Sequence, residues 1–238
     1  MKKKGRLIVA LDFSTIAEAK EIVKKISPLA KIFKVGKELF TSAGPEAVQM
    51  VHSYDCQVFL DLKFHDIPNT VAAACEAATK MGVFMLNVHA LGGKSMLYSA
   101  VQSVHKAAAE QKISHPKVLG VTVLTSLTDK DLKEVGISKK VKQEVQSLAL
   151  LVKDCGLDGV VASGQEIRPI RDVAGAKFLI ITPGVRPTWA AHGDQKRIMT
   201  PKEAIELGAD YIVVGRPITQ HPQPLVAAEK ILKEIEAG

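Results

Sequence analysis

Aromatic side chains are scarce in this sequence. They make up 5% of the residues, with a single tryptophan, Trp189. That argues against a stacking platform for single-stranded nucleic acid, which uses rings to hold successive bases. Cysteine is scarce as well: Cys56, Cys75 and Cys155 are far apart and odd in number, with no C-x-x-C pair and no Cys/His metal spacing. Reduced thiols in a cytoplasmic protein are therefore expected. No run approaches the about 18 apolar residues of a membrane span. Lys2-Lys3-Lys4 followed by LIVAL has the outline of a secretory leader, but the apolar stretch stops at Asp12. It falls short of the roughly 7–15 residues such a leader needs. There is no H-E-x-x-H, nucleophile elbow or Walker motif, which leaves metal-protease, serine-hydrolase and P-loop chemistry without support. No Pro/Ser-rich linker divides the chain, so residues 1–238 are expected to form a single domain.

What is present is an ordinary core-forming composition, 47% apolar and 24% charged, with a net charge of +7. The lysines are scattered outside the N-terminus, so the basic balance reads as suited to an anionic small molecule rather than to nucleic acid or a membrane.

Eight short apolar runs punctuate the chain: LIVAL (7–11), IFKV (32–35), VFLDL (58–62), FMLNV (84–88), VLGVTVL (118–124), GVVA (159–162), FLIIT (178–182) and YIVVG (211–215). Runs this short, rich in Val, Ile and Leu, are strands buried on both faces. Helical periodicity lies between them at 16–26, 71–81, 94–111, 142–156, 200–208 and 224–238. Gly156 and Gly208 act as stops, and Pro201 sits early in its helix. Eight strands alternating with helices predict a (β/α)8 TIM barrel. A doubly wound open sheet is the alternative, but no G-x-G-x-x-G follows the first strand.

Active sites of such barrels lie where strands pass into loops at the C-terminal face. Those positions hold Asp12, Lys34, Asp61, Lys63, Asp66, Asn87, His89, Thr125, Ser126, Ser163, Thr182, Arg186, Gly215 and Arg216. A full ring of polar groups implies a polar ligand.

The densest cluster is DLKFHDIPNT, residues 61–70. Residues i and i+2 share a strand face, so Asp61 and Lys63 should point together into the barrel mouth, with Asp66 just beyond. Two carboxylates about 4 Å apart repel by roughly 4 kcal/mol at an effective dielectric near 20. A lysine between them offsets this and stays protonated. The arrangement suits a proton donor fixed by carboxylates, and also a structural ion-pair network. GRPI (215–218) and TPGVRP (182–187) bring Gly184, Arg186, Gly215 and Arg216 to the corner where many barrels bind phosphate. Residues 185–200 form a long polar connection of the kind that serves as a lid, with Gln195 able to reach a phosphate or a base edge. Asp12 and Lys34 lie on neighbouring strands and suit either sugar hydroxyls or a plain salt bridge. His89 suits either an acid–base role or a hydrogen-bonded strand end.

Taken together, DLKFHDIPNT, VALDF, FKVGKELF, NVHALGG, VTVLTS, TPGVRP, DQKRIMTP and IVVGRPI resemble the bacterial orotidine 5'-phosphate decarboxylases, in order, from about residue 6 to 235. The resemblance implies conversion of orotidine 5'-monophosphate to UMP and CO2 by a homodimeric barrel with no metal or organic cofactor. It implies that Lys63 donates a proton to C6 of the pyrimidine, with Asp61 beside the substrate carboxylate. Asp66, Ile67 and Thr70 would enter the neighbouring protomer's site. Lys34 and Asp12 would hold ribose hydroxyls, and Thr125, with Ser126 beside it, would meet the pyrimidine. Arg186, Gln195, Gly215 and Arg216 would grip the phosphate. Thr188 to Gly193 do not follow the family pattern residue by residue. D-x-K-x-x-D alone also marks a metal-dependent sugar-phosphate decarboxylase or aldolase of the same superfamily, which is the alternative. A non-catalytic phosphate-binding barrel is a second one, but it has no need of a lysine flanked by carboxylates.

Overall fold

A computed structural model describes residues 3–190 and 199–238 of the chain. Eight parallel strands close into a barrel in sequence order: β1 Leu7–Leu11, β2 Ile32–Gly36, β3 Gln57–Phe64, β4 Met85–His89, β5 Lys117–Val121, β6 Gly159–Val161, β7 Leu179–Thr182 and β8 Tyr211–Val214. Closure comes from β8 pairing with β1, Ile8 opposite Val213. Each apolar run of the sequence is one of these strands. The run expected at 118–124 is shorter as a strand, ending at Val121.

The runs lack polar alternation because both faces of each strand are covered. Ile8, Ala10, Ile32, Phe59, Met85, Leu119, Ile181 and Val213 fill the barrel interior. Leu7, Val9, Leu11, Phe33, Val35, Val58 and Leu60 face the surrounding helices. The helix Ile16–Ile26 matches its expected bounds and is capped by Thr15, whose side chain accepts the Glu18 N–H. Thr200 and Glu203 form a capping box at the start of Pro201–Glu206. Five further helices, Lys37–Ala43, Glu46–His52, Asp129–Glu134, Ile167–Ala174 and Arg216–Thr219, were not foreseen by periodicity. Most span two turns or fewer, too short for a 3.6-residue repeat to register.

The two rims of the barrel treat charge differently. At the N-terminal rim, carboxylates tie down backbone. Asp210 accepts the Ile180 N–H at 2.8 Å and an Arg171 N–H at 2.7 Å. Asp158 accepts the Val118 N–H at 2.9 Å and pairs with Lys117 at 2.8 Å. Such contacts stabilise strand ends. At the C-terminal rim, charged side chains meet mainly one another.

Candidate active site

The barrel interior changes from apolar to ionic along each of three adjacent strands. Ala10 leads to Asp12, Ile32 to Lys34 and Phe59 to Asp61, each two residues further toward the mouth on the inward face. Register sets Lys34 between Ala10 and Phe59, and Gly36 opposite Asp61. Lys34 therefore lies within β2 rather than ending it, as the sequence suggested.

Four charges alternate in sign across this face. Lys34 Nζ lies 2.9 Å from Asp12 Oδ1 and 3.5 Å from Asp61 Oδ2, and Lys63 Nζ lies 2.6 Å from Asp61 Oδ1. At such distances each opposite pair gains roughly 5–6 kcal/mol of Coulomb energy at an effective dielectric near 20, before desolvation is subtracted. Burial by itself would lower the Lys34 ammonium, but the carboxylates of Asp61 and Asp12 outweigh it and leave the group above its usual value. Burial would likewise raise Asp61. Lys34, Lys63 and the hydrogen bonds from Lys63 and Asn87 overcome that and hold it below the ordinary carboxylate range. Both groups are thus charged at neutral pH.

The juxtaposition of Asp61 and Lys63 was expected from strand alternation, but regular alternation does not produce it. The β3–β4 register shifts between Leu60 and Phe64, and Lys63 has φ of 53°. A non-glycine residue in this left-handed region costs about 1–2 kcal/mol. Asn87 on β4, fully buried, holds the distortion in place. Its Oδ1 accepts the Lys63 backbone N–H at 2.8 Å, and its Nδ2 donates to Asp61 Oδ1 at 2.6 Å. The sequence placed Asn87 on the rim without a role. Its polar side chain within an apolar run was the available signal.

Gly36 was also overlooked, although it stands in FKVGKELF. A Cβ there would lie 2.8 Å from Lys34 Nζ and 3.2 Å from Asp12 Oδ1. A side chain at 36 would contest the space that the ion pair fills.

Two adjoining cavities share this charged wall. One, of about 240 Å³, is lined by Lys34, Phe59, Asp61, Lys63, Val121, Val123, Thr125, Ser126 and Val213 among others. The second, about 210 Å³, runs from Asp12, Lys34 and Asp61 to Gly184, Arg186, Gly215 and Arg216. Together they form a slot with an apolar end beside Lys63 and a cationic end at the two arginines. A Cβ on Gly215 would meet Ala10 and Asp12 only at ordinary contact distances, 3.4 and 3.6 Å. The protein's own packing does not demand glycine there, so a side chain would chiefly narrow the cavity. Ser163 and Thr182, also on the expected ring, are buried and line neither cavity.

Asp66, Ile67 and Thr70 stay outside the slot. All three are exposed, and Asp66 Oδ1 accepts the Ile67 N–H at 2.6 Å. Among the described residues Asp66 forms no ion pair with Lys63, so the local reading of a lysine flanked by both carboxylates of the decapeptide does not hold within one chain. His89 stacks on His65 with ring centroids 5.2 Å apart, and its Nδ1 accepts the Leu91 N–H. Burial, then the nearby charges of His65, Lys63 and Lys37, push it down to about 4. This is a neutral, hydrogen-bonded strand-end histidine. Trp189 lies in the first part of the long connection. Its ring meets His221 edge-on at 5.7 Å and lies 5.5 Å from Lys230 Nζ. Gln195 lies outside the described residues, as do most of DQKRIMTP and the later part of 188–193. Among the described residues no three His, Cys, Asp or Glu side chains are grouped to hold a metal ion.

Residues 5–231 match the family model described as the orotidine 5'-phosphate decarboxylase / HUMPS family. The chain is 53% identical over 237 residues to a protein named orotidine 5'-phosphate decarboxylase from Moorella thermoacetica, covering 99% of this chain and 94% of that one. It is equally 53% identical to the protein of that name from Trichlorobacter lovleyi, over 99% of this chain and 97% of that one. The crystal structure of orotidine 5'-phosphate decarboxylase from Lactobacillus acidophilus is similar at TM-score 0.86 and 39% identity, covering 98% of this chain and all of that one.

Proposed function

The chain belongs to the orotidine 5'-phosphate decarboxylase / HUMPS family, and from that membership and the geometry of the barrel mouth we infer how it works on orotidine 5'-monophosphate. The reaction is decarboxylation to UMP and CO2, in pyrimidine biosynthesis. One observation carries the mechanism: the Lys63 ammonium is held 2.6 Å from Asp61 in the wall of a largely apolar cavity that continues to Arg186 and Arg216.

The pyrimidine occupies the end beside Thr125 and Ser126, the ribose hydroxyls meet Asp12 and Lys34, and the phosphate meets Arg186, Gly215 and Arg216. Gln195 joins the phosphate from the connection after β7. The bond from C6 to the carboxyl carbon breaks with its electron pair left on C6. A fixed ammonium nearby stabilises that charge as it forms, with little reorganisation because the ion-pair array already holds it. Lys63 then transfers a proton to C6, giving UMP, and regains one from solvent. Asp61 stands beside the departing carboxylate and fixes Lys63. No metal or organic cofactor enters this scheme. Binding energy gathered at the phosphate, far from C6, is available to order the site for chemistry. The metal-dependent alternative has no support from the named relatives.

Asp66, Ile67 and Thr70 act in the neighbouring protomer of a homodimer, where Asp66 extends the alternating charge series. Supporting this reading, Ile67, just before the helix Pro68–Lys80, is 67% exposed, and Leu91 and Tyr98, just before and within the helix Gly93–Gln111, are 45% and 57% exposed. The helices Pro68–Lys80 and Gly93–Gln111 pack against each other. Apolar surface of this kind is costly to leave in water. A cytoplasmic setting fits the biosynthetic role and the free buried cysteines.

The decisive assay follows the absorbance loss of orotidine 5'-monophosphate with EDTA present. Metal-independent turnover is expected. Absence of turnover overturns the reading, and dependence on added divalent metal moves it to the alternative. Lys63→Ala should lower kcat by more than about 10³-fold while UMP binding stays measurable.

A further inference from the structure

Asn87 is fully buried and hydrogen-bonds both members of the reacting pair. We propose that Asn87 is a positioning residue for proton donation: it sets the backbone of Lys63 and the carboxylate of Asp61 so that the ammonium is aimed at the cavity. The proposal rests on the reading of Lys63 as donor and Asp61 as its partner.

The geometry leaves the amide little freedom. Oδ1 accepts the Lys63 N–H at 2.8 Å and Nδ2 donates to Asp61 Oδ1 at 2.6 Å. The same Oδ1 of Asp61 accepts from Lys63 Nζ at 2.6 Å. A closed circuit results, running from the Lys63 backbone through Asn87 and Asp61 to the Lys63 ammonium. Only a side chain with an acceptor and a donor on one planar head completes it. The circuit forms where β3 departs from regular pairing and Lys63 adopts φ of 53°. Regular β3–β4 pairing is interrupted there, so the Asn87 amide takes the Lys63 N–H in place of a strand partner. With the amide removed, the backbone at 63 is free to return to the β region, which swings the side chain away from Asp61. Asp61 also loses a hydrogen bond to its charged form. A buried asparagine needs partners wherever it sits, but these two partners are the donor and the carboxylate themselves.

The variants Asn87→Ala and Asn87→Asp test this in the full-length enzyme. Asn87→Ala removes both bonds and should lower kcat at neutral pH by about 10- to 100-fold. KM for orotidine 5'-monophosphate should stay within about threefold, since the phosphate contacts lie elsewhere. Asn87→Asp is isosteric and keeps an oxygen for the Lys63 N–H, but when ionised it cannot donate to Asp61. Its kcat relative to the parent should rise as pH falls and the introduced carboxyl takes up a proton, a response that a merely structural role does not give. If both variants match the parent within about twofold in kcat, or if Asn87→Asp is impaired equally at every pH, Asn87 has no such role. A parent enzyme with no turnover sinks the reading of Lys63 and this proposal together. Normal turnover by the parent and by Asn87→Ala sinks this proposal alone.

Discussion

The ammonium of Lys34 fills the space that a side chain on Gly36 would need. The ideal Cβ position at Gly36 is 2.8 Å from Lys34 Nζ, and the same ammonium bonds Asp12 Oδ1 at 2.9 Å. The obstructing atom is the far end of a flexible side chain, so Lys34 can move aside.

Gly36→Ala should therefore fold normally and fail in function. Displacing Lys34 breaks its contacts to Asp12 and Asp61 together, and kcat/KM should fall by about tenfold or more. Circular dichroism and thermal melting check the fold. An active, unperturbed variant would show that Lys34 has room the geometry does not reveal.

Acid stability should report on Asp61. Its carboxyl is held below the usual 3.8 because Lys34 and Lys63 outweigh the raising effect of burial. The stability this contributes is complete above pH 3.8 and is lost as pH falls through the lowered folded value. Asp61→Asn leaves Lys34 and Lys63 facing each other without their shared carboxylate, at a cost of about 3 kcal/mol near neutral pH. In urea titrations the gap between parent and variant should close as pH falls below 3.8 and through the lowered folded value. A gap of constant size would mean that the ion pairs do not stabilise the folded chain.

His89 should titrate in a different window. Burial, with the charges of His65, Lys63 and Lys37, lowers it to about 4, so the folded protein holds it neutral while the unfolded chain takes up a proton near 6.5. Its share of stability is present above 6.5 and is lost as pH falls toward 4. His89→Gln should flatten stability across that interval. Ring proton shifts followed by NMR should show an inflection close to the lowered value. An inflection near neutrality would return His89 to consideration as an acid–base group.

The exposure of Asp66 calls for a test with two protomers. On the proposed dimer, Lys63→Ala and Asp66→Ala proteins should each be nearly inactive alone. If Asp66 serves the neighbouring site, mixing and re-assembly should restore about a quarter of the parent activity, because half the dimers are mixed and each mixed dimer has one intact site. Mixed dimers, verified by tag capture, that recover nothing would place Asp66 in its own protomer's chemistry.

The barrel was legible because its strands are covered on both faces, and a covered strand must be a short continuous apolar run. All eight were found this way, from Leu7–Leu11 to Tyr211–Val214. The ionic rim was legible for a related reason. Charged residues at the ends of apolar runs are costly to bury without partners, so Asp61, Lys63 and Lys34 stood out. Asn87 and Gly36 were not comparably visible. Asparagine and glycine carry no charge and occur in every loop, and their importance lies in a distance to another strand or a neighbouring side chain.

By itself, then, the sequence determined the architecture and the chemical cast: eight buried strands, lysines and carboxylates at the strand ends and a cationic corner. Both follow from composition and order along the chain. Tertiary structure alone decided who meets whom. It gave Asp61 to both Lys34 and Lys63, bent β3 at Lys63 against Asn87, and left Asp66 on the surface. Those outcomes depend on strand register and on one left-handed residue, and neither is encoded in a pattern that repeats every second position.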